Sequence, residues 1–291
     1  MAAGLAVLAG ALALLALAAP LALGDVATPQ SGGSPNADKI AELYKIALYI
    51  AIVVFVGVES TLIYSLVKYR ARRGGREAQQ IRGNTALEIG WTVGAVLIVV
   101  ALSVITFVYL GDITTPAQSG TAGLRAGAVE LASLNQPEPP GPARPLRIGV
   151  NGQQFVWRYD YLDEERLPGG QPLSTYYEMV VPIDTTVTLQ MTSQDVVHSW
   201  WIPELGGKAD AVPGHTNETW FKISRPGVYG GQCAELCGEG HADHRARVRA
   251  VSLGEYNAWV GRQRQDLLAA RDELASARKQ REGPPREGEG R

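Results

Sequence analysis

Gly231-Gln232-Cys233-Ala234-Glu235-Leu236-Cys237-Gly238-Glu239-Gly240-His241 holds both cysteines of the 291-residue chain and one of its four histidines. Two thiolates four positions apart, with an imidazole four further on, converge on a metal if the backbone curls into a loop. Sulfur and imidazole donors suit copper or zinc, whereas calcium and magnesium take oxygen. A short disulfide is the other reading of the two cysteines. His241, together with His198 in a strand-like stretch upstream, tips the balance to a metal, and to copper in particular. Two bridging thiolates hold two coppers as a compact pair, each with a terminal imidazole that His198 and His241 can supply. A single blue copper uses one cysteine and two histidines, so the second cysteine favours the pair.

Working outward, composition shifts several times along the chain. Residues 1–24 are almost purely Ala, Leu, Gly and Val, and Ala22-Leu23-Gly24 before Asp25 has the small residues of a signal-peptide cleavage site. No Lys or Arg precedes the apolar run, so an extra membrane anchor is the competing reading. Residues 25–39 are a polar Gly/Pro/Ser segment expected to be disordered. Two apolar stretches follow, at about 40–67 and 89–110. Each is close to the ~20 residues a helix needs to cross a bilayer, which predicts a transmembrane hairpin over 40–110. Between them Lys68, Arg70, Arg72, Arg73, Arg76 and Arg82 face the single acid Glu77. Positive loops stay inside, so 68–85 is read as a cytoplasmic loop and everything after Leu110 as extracytoplasmic, on a multi-pass protein of the cell membrane. A carboxylate inside a span is costly, and two helices alone cannot shield Glu59, which implies a larger membrane partner. Glu88 lies at the mouth of the second span, where an interfacial role and a functional one are both open.

Residues 111–145 carry Pro116, Pro137, Pro139, Pro140, Pro142 and Pro145 among Gly, Ala and Ser, and read as a linker. From 146 to 254 short alternating stretches such as Leu146-Arg147-Ile148-Gly149-Val150 are broken by Gly and Pro, the pattern of an all-β sandwich or barrel. Residues 255–291 read as a charged, solvated helix with a disordered tail. The net charge of -2 and the lack of a basic, aromatic-interleaved stripe exclude a nucleic-acid partner. No C-x-x-C-H haem attachment, phosphate-cradling glycine loop or nucleophile triad occurs.

Asp195-Val196-Val197-His198-Ser199-Trp200 and the cysteine run resemble the two copper-ligand segments of subunit II of cytochrome c oxidase, in the haem–copper oxidase superfamily. Gly207-Lys208-Ala209-Asp210-Ala211-Val212-Pro213-Gly214 and Leu87-Glu88-Ile89-Gly90-Trp91-Thr92 are similar to further stretches of that family. The likeness runs from about residue 40 to 254 and implies a cupredoxin-like Greek-key barrel carrying a dinuclear CuA centre. It implies that Cys233 and Cys237 bridge, that His198 and His241 are terminal, and that the Glu235 carbonyl is a weak axial ligand. The same glutamate's side chain would help hold magnesium at the interface with subunit I. Electrons would come from cytochrome c and pass to haem in subunit I, where oxygen becomes water, and Glu88 would feed protons to that subunit.

Two positions depart from the family. His244 stands where the family has an axial methionine, so it either ligates copper, leaves it three-coordinate, or is part of an exposed turn, Asp243-His244-Arg245. Phe155 stands where the family has the tryptophan that receives the electron, with Trp157, Tyr159 and Tyr161 following as strand aromatics and Trp157 as a second candidate contact. Asp160, Asp163, Glu164, Glu165, Glu178, Asp184 and Glu204 suggest an acidic surface that steers a basic donor. His215, after Pro213-Gly214, reads as a surface residue. The competing functions are a CuA-bearing nitric oxide reductase subunit and a membrane-anchored copper-binding or copper-delivery protein. A nitrous oxide reductase would need more length, and a quinol-oxidase subunit would lack the cysteines.

Overall fold

The computed structural model describes residues 29–70, 80–124 and 143–282. The expected signal peptide, much of the basic loop, the proline-dense part of the linker and the C-terminal tail lie outside them. The chain divides into two compact units, a helical one ending at Thr115 and a β-rich one built chiefly from Pro116 onward.

The helical unit holds α1 (Pro35–Lys68) and α2 (Thr85–Thr114), of 34 and 30 residues. Both are long and apolar enough to cross a membrane, and neither buries any of its apolar window. Val53, Phe55, Leu97 and Phe107 are among the large apolar side chains they expose, as a lipid-facing surface requires. Both helices start before their apolar stretches do. Pro35 opens α1, a residue suited to the first turn because its missing N–H would have no partner there. The Asn84 side chain caps α2 by accepting from Leu87 N at 3.1 Å, and the Glu88 carboxylate reaches back to Asn84 N at 3.2 Å.

The β-unit is a sandwich of two five-stranded sheets. One runs β3 (Leu173–Tyr176), β2 (Val156–Tyr161), β1 (Leu146–Gln153), β5 (Thr186–Ser193), β8 (Asn217–Lys222). The other runs β4 (Glu178–Pro182), β10 (Arg245–Val251), β9 (Gly227–Cys233), β6 (His198–Trp201), β7 (Ala209–Ala211). Alternation decides which residues enter the core: Leu146, Ile148 and Val150 of β1 and Trp157, Tyr159 and Tyr161 of β2 are all buried. Two tyrosine hydroxyls tie the sheets across that core. Tyr161 Oη donates to Val180 O and accepts from Val180 N, both at 2.8 Å, and Tyr159 Oη accepts from Trp200 Nε1 at 3.3 Å.

Three expectations are corrected. The segment 25–39, expected to be disordered, is ordered over its described part: Ser34 Oγ accepts from Lys222 N, Gly32 O accepts from Arg225, and α1 has begun by Pro35. The linker expected over 111–145 begins as the end of α2, and residues 117–124 then dock on the sandwich. Leu124 is buried in the core, Thr186 N donates to Ser119 Oγ and Gly120 N to Asp184 O. The C-terminal helix, α3 (Leu253–Glu282), is not wholly solvated. Ser252 and Glu255 form a reciprocal capping box that starts it, and Tyr256 and Trp259, one turn apart, enter the core.

Asp184 holds the docked segment: its carboxylate accepts from Ala122 N at 3.1 Å and pairs with Lys222 at 3.1 Å. Burial pushes this carboxyl up, but the Ala122 N–H and the Lys222 ammonium outweigh it and leave the pKa below its ordinary value. Its contribution is therefore complete above about pH 4 and is lost as the pH falls through the lower folded value. D184N is expected to cost about 1–2 kcal/mol at neutral pH and to remove that part of the acid sensitivity, read by denaturant unfolding of the full chain in detergent.

Candidate metal centre

Strand register brings the site together before any side chain is considered. Trp200 on β6 pairs with Cys233 at the end of β9, and Gln232 pairs with Arg245 at the start of β10. His198, Cys233 and His244 therefore meet at one end of one sheet. Cys233 N donates to His244 O and Ala234 N to Ser199 O, each at 2.8 Å, closing the loop that carries Cys237. A short 3₁₀ turn, His241–Asp243, returns the chain to β10.

The two sulfurs are 3.9 Å apart and unbonded. His198 Nδ1 lies 3.9 Å from Cys233 Sγ, while His241 Nδ1 and His244 Nδ1 lie 3.6 and 3.8 Å from Cys237 Sγ. The Glu235 carbonyl oxygen is 3.2 Å from Cys233 Sγ. Ligand atoms of His198, Cys233, Cys237 and His244 all fall within 4.8 Å of one another. With metal–sulfur bonds of ~2.3 Å and metal–nitrogen bonds of ~2.0 Å, such separations are those of donors sharing a metal. Burial, and then the neighbouring Cys233, push the Cys237 thiol up to about 11. A copper ion held by these cysteines would reverse that preference and favour the thiolates. Two soft thiolates and three imidazoles in a largely buried pocket fit copper.

Residues that sequence reasoning did not single out position these ligands. Asp195 Oδ1 accepts from His198 Nε2 at 2.8 Å, which leaves Nδ1 to face the sulfur. Its other oxygen accepts from Gln154 N at 2.7 Å, and the Gln154 side chain donates to Cys237 O at 2.5 Å. One carboxylate thus ties together the two segments that carry ligands. Burial pushes the Asp195 carboxyl up, but bonds from His198, Gln154 N and Val196 N outweigh it and hold the group at about 2. Gly152 is required by close approach, since a β-carbon there would sit 2.8 Å from His198 Cδ2. The one cue in the sequence was an Asp three residues before His198, where a short turn lets its side chain reach back.

The predicted residues divide. Phe155 is half-buried and lies on the copper loop, where a β-carbon on Gly240 would come within 2.5 Å of its ring. Trp157 is corrected as a candidate donor contact: it is fully buried, because β2 turns it inward, and it stacks on His244 with centroids 4.6 Å apart. His244 is likewise not part of an exposed turn, although Asp243 and Arg245 beside it are exposed. Burial, and then His198, push its imidazole down to about 4. His215 is exposed. Most of the acids expected to form a charged surface are paired: Asp160 with Arg158, Asp163 with Arg147, Glu165 with Arg264, Asp184 with Lys222, and Glu178 with Arg247 and Arg249.

Residues 146–251 match the family model for the periplasmic domain of cytochrome c oxidase subunit II, and residues 24–108 match that for its transmembrane domain. Cytochrome c oxidase subunit 2 of Cereibacter sphaeroides is 32% identical over 86% of this chain and 88% of its own length. The chain belongs to the cytochrome c oxidase subunit II family. The same subunit of Alkalihalophilus pseudofirmus is 35% identical over 78% of this chain, which spans 59% of that longer protein. The solved periplasmic domain of subunit II of cytochrome oxidase from Bradyrhizobium japonicum is 34% identical, covering 43% of this chain and 97% of that domain, with a TM-score of 0.39. Membership fixes the topology: two membrane-spanning helices and a periplasmic C-terminal β-domain. It also selects the subunit II reading over a copper-delivery protein.

D195N keeps the shape of the side chain but weakens the hold on His198 and removes its negative charge. Copper affinity is expected to fall about 10–100-fold, measured by competition with a chelator on the purified full-length protein.

Proposed function

We propose that the chain accepts electrons from cytochrome c at a dinuclear CuA centre and passes them to haem in subunit I of a cytochrome c oxidase, which reduces oxygen to water and translocates protons. The observation that carries this reading is the pair of unbonded sulfurs 3.9 Å apart with imidazole nitrogens beside each. Cys233 and Cys237 would hold the copper through their thiolates, His198 and His241 through Nδ1, and Glu235 through its backbone carbonyl. When bound, the copper pair supplies one-electron transfer with little change in geometry.

The chain's own residues provide the rest. Asp195 retains the Nε2 proton of His198, and Gln154 pins the Cys237 carbonyl, so the ligands cannot relax far when the charge changes. Trp157, and Trp200 stacked on Phe221, keep water from the inner side of the site. Phe155, on the outer side of the loop, is the surface through which the donor delivers its electron. Since many acids elsewhere are already paired, the exposed Glu235, Glu239 and Asp243 beside the ligands are the charges that steer a basic donor. The Glu235 carboxylate also contributes, with subunit I, to a magnesium site. Glu88, exposed in the first turn of α2, is the proton-path carboxylate.

Metal analysis and spin counting on the purified complex test the centre. Two coppers per chain sharing one unpaired spin are expected, both lost in C233S and C237S, with magnesium alone lost in E235Q. A single copper, or a Cys233–Cys237 disulfide in the loaded complex, would overturn the reading. Fast kinetics on the same complex separate the other two roles. The rate of copper reduction by a basic cytochrome c is expected to fall about tenfold or more from low to high salt. E88Q is expected to leave that rate unchanged and to slow steady-state turnover.

A further inference from the structure

Three imidazoles, not two, reach the paired sulfurs. His244 is fully buried although it sits between exposed Asp243 and Arg245, so the strand start turns this one polar ring inward. Burying an imidazole is costly unless its nitrogens find partners. Nε2 has no hydrogen-bond partner of ordinary geometry, and a backbone contact from Val156 is the one other polar influence on the ring from outside the ligand cluster and Asp195. Nδ1 is directed at Cys237 Sγ, 3.8 Å away. The ring is held for that orientation by Trp157 on one face, at 4.6 Å and 27°, and by the edge-on ring of His198, at 4.9 Å and 87°.

The ligand atoms of His198, Cys233, Cys237 and His244 all lie within 4.8 Å of one another, a group that does not include His241. His241 stands apart from that quartet, beside Cys237. We propose that His244 ligates the copper on the His198 side through Nδ1, so that the two metal positions carry unequal donors. This rests on the copper-pair reading above. One position would then draw on two imidazoles, His198 and His244, and the other on His241 alone, with both thiolates shared. Imidazole is a stronger donor than a thioether or a carbonyl, so the oxidised charge is drawn toward the His198–His244 position instead of being shared equally. The same stronger donation stabilises the oxidised centre and lowers its potential relative to a methionine in that place.

The test uses the complete oxidase with its histidines labelled with ¹⁵N, examined by electron–nuclear double resonance, copper analysis and redox titration. Three distinct histidine nitrogen couplings and uneven copper hyperfine lines are expected. H244M should lose one of the three couplings, make the copper lines more even and raise the midpoint potential. A ring that merely fills space against Trp157 would move none of these. Two coppers per chain with only two histidine couplings in the unmutated complex overturns the assignment of His244 and leaves the copper pair standing. Fewer than two coppers, or no shared spin, overturns the copper pair and this assignment with it. The unmutated sample decides by itself, so the outcome does not depend on H244M folding.

Discussion

The 3.9 Å gap between Cys233 Sγ and Cys237 Sγ, neither bonded nor far apart, is what makes a metal site of this end of the β-domain. Free thiols that close tend to oxidise to a disulfide, with sulfurs ~2 Å apart. Here the backbone sets their spacing. Cys233 is the last residue of a paired strand, and its own N–H is taken by His244 O. Cys237 is fixed from the far side through its carbonyl by Gln154. Neither cysteine is placed by its own side chain, so the site is a property of the loop and the sheet that carries it.

That arrangement explains the demands placed on the sandwich. The ligands come from β6, β9 and the turn before β10, while the residues that steady them come from β1, β2 and the turn before β6. Asp195 and Gln154 join the two groups, and Gly152 removes the β-carbon that would otherwise push His198 aside. The tyrosine ties between the sheets act in the same direction, since a sliding of one sheet over the other would displace the ligands from the residues that hold them. A rigid donor set is what low-reorganisation electron transfer needs, and here the rigidity comes from both layers of the fold.

Much of this was legible in the sequence, and the reason differs by element. The two spans were plain because lipid demands long uncharged runs, and the cysteine run because few structures need two thiols and a histidine at such spacing. The inward turn of His244 was not legible: its neighbours Asp243 and Arg245 are polar, and only the pairing of β10 decides which way the ring faces. Gln154 was missed because its contacts reach 41 and 83 residues along the sequence, and Asp195 because a carboxylate three residues before a histidine is common in turns with no ligand to hold. The docking of residues 117–124 escaped notice because several of its bonds are made by backbone groups, which leave no mark in composition. The C-terminal helix read as solvated because Tyr256 and Trp259 are a thin apolar stripe among many charges.

The alternation along β10 has a consequence for how the metal site is protected from misassembly. Arg245, Arg247 and Arg249 point one way, and Ala246, Val248 and Ala250 the other. Arg247 and Arg249 both grip Glu178 on β4, at 3.1 and 2.9 Å. Sliding this strand by a single residue would invert its two faces. Guanidinium groups would be driven into the core, at several kcal/mol for each charge left uncompensated. His244, one position before the strand, would be displaced with it. The arginines lie on the opposite face of the strand from its core residues, yet they act as a ratchet that leaves its first turn one way to sit.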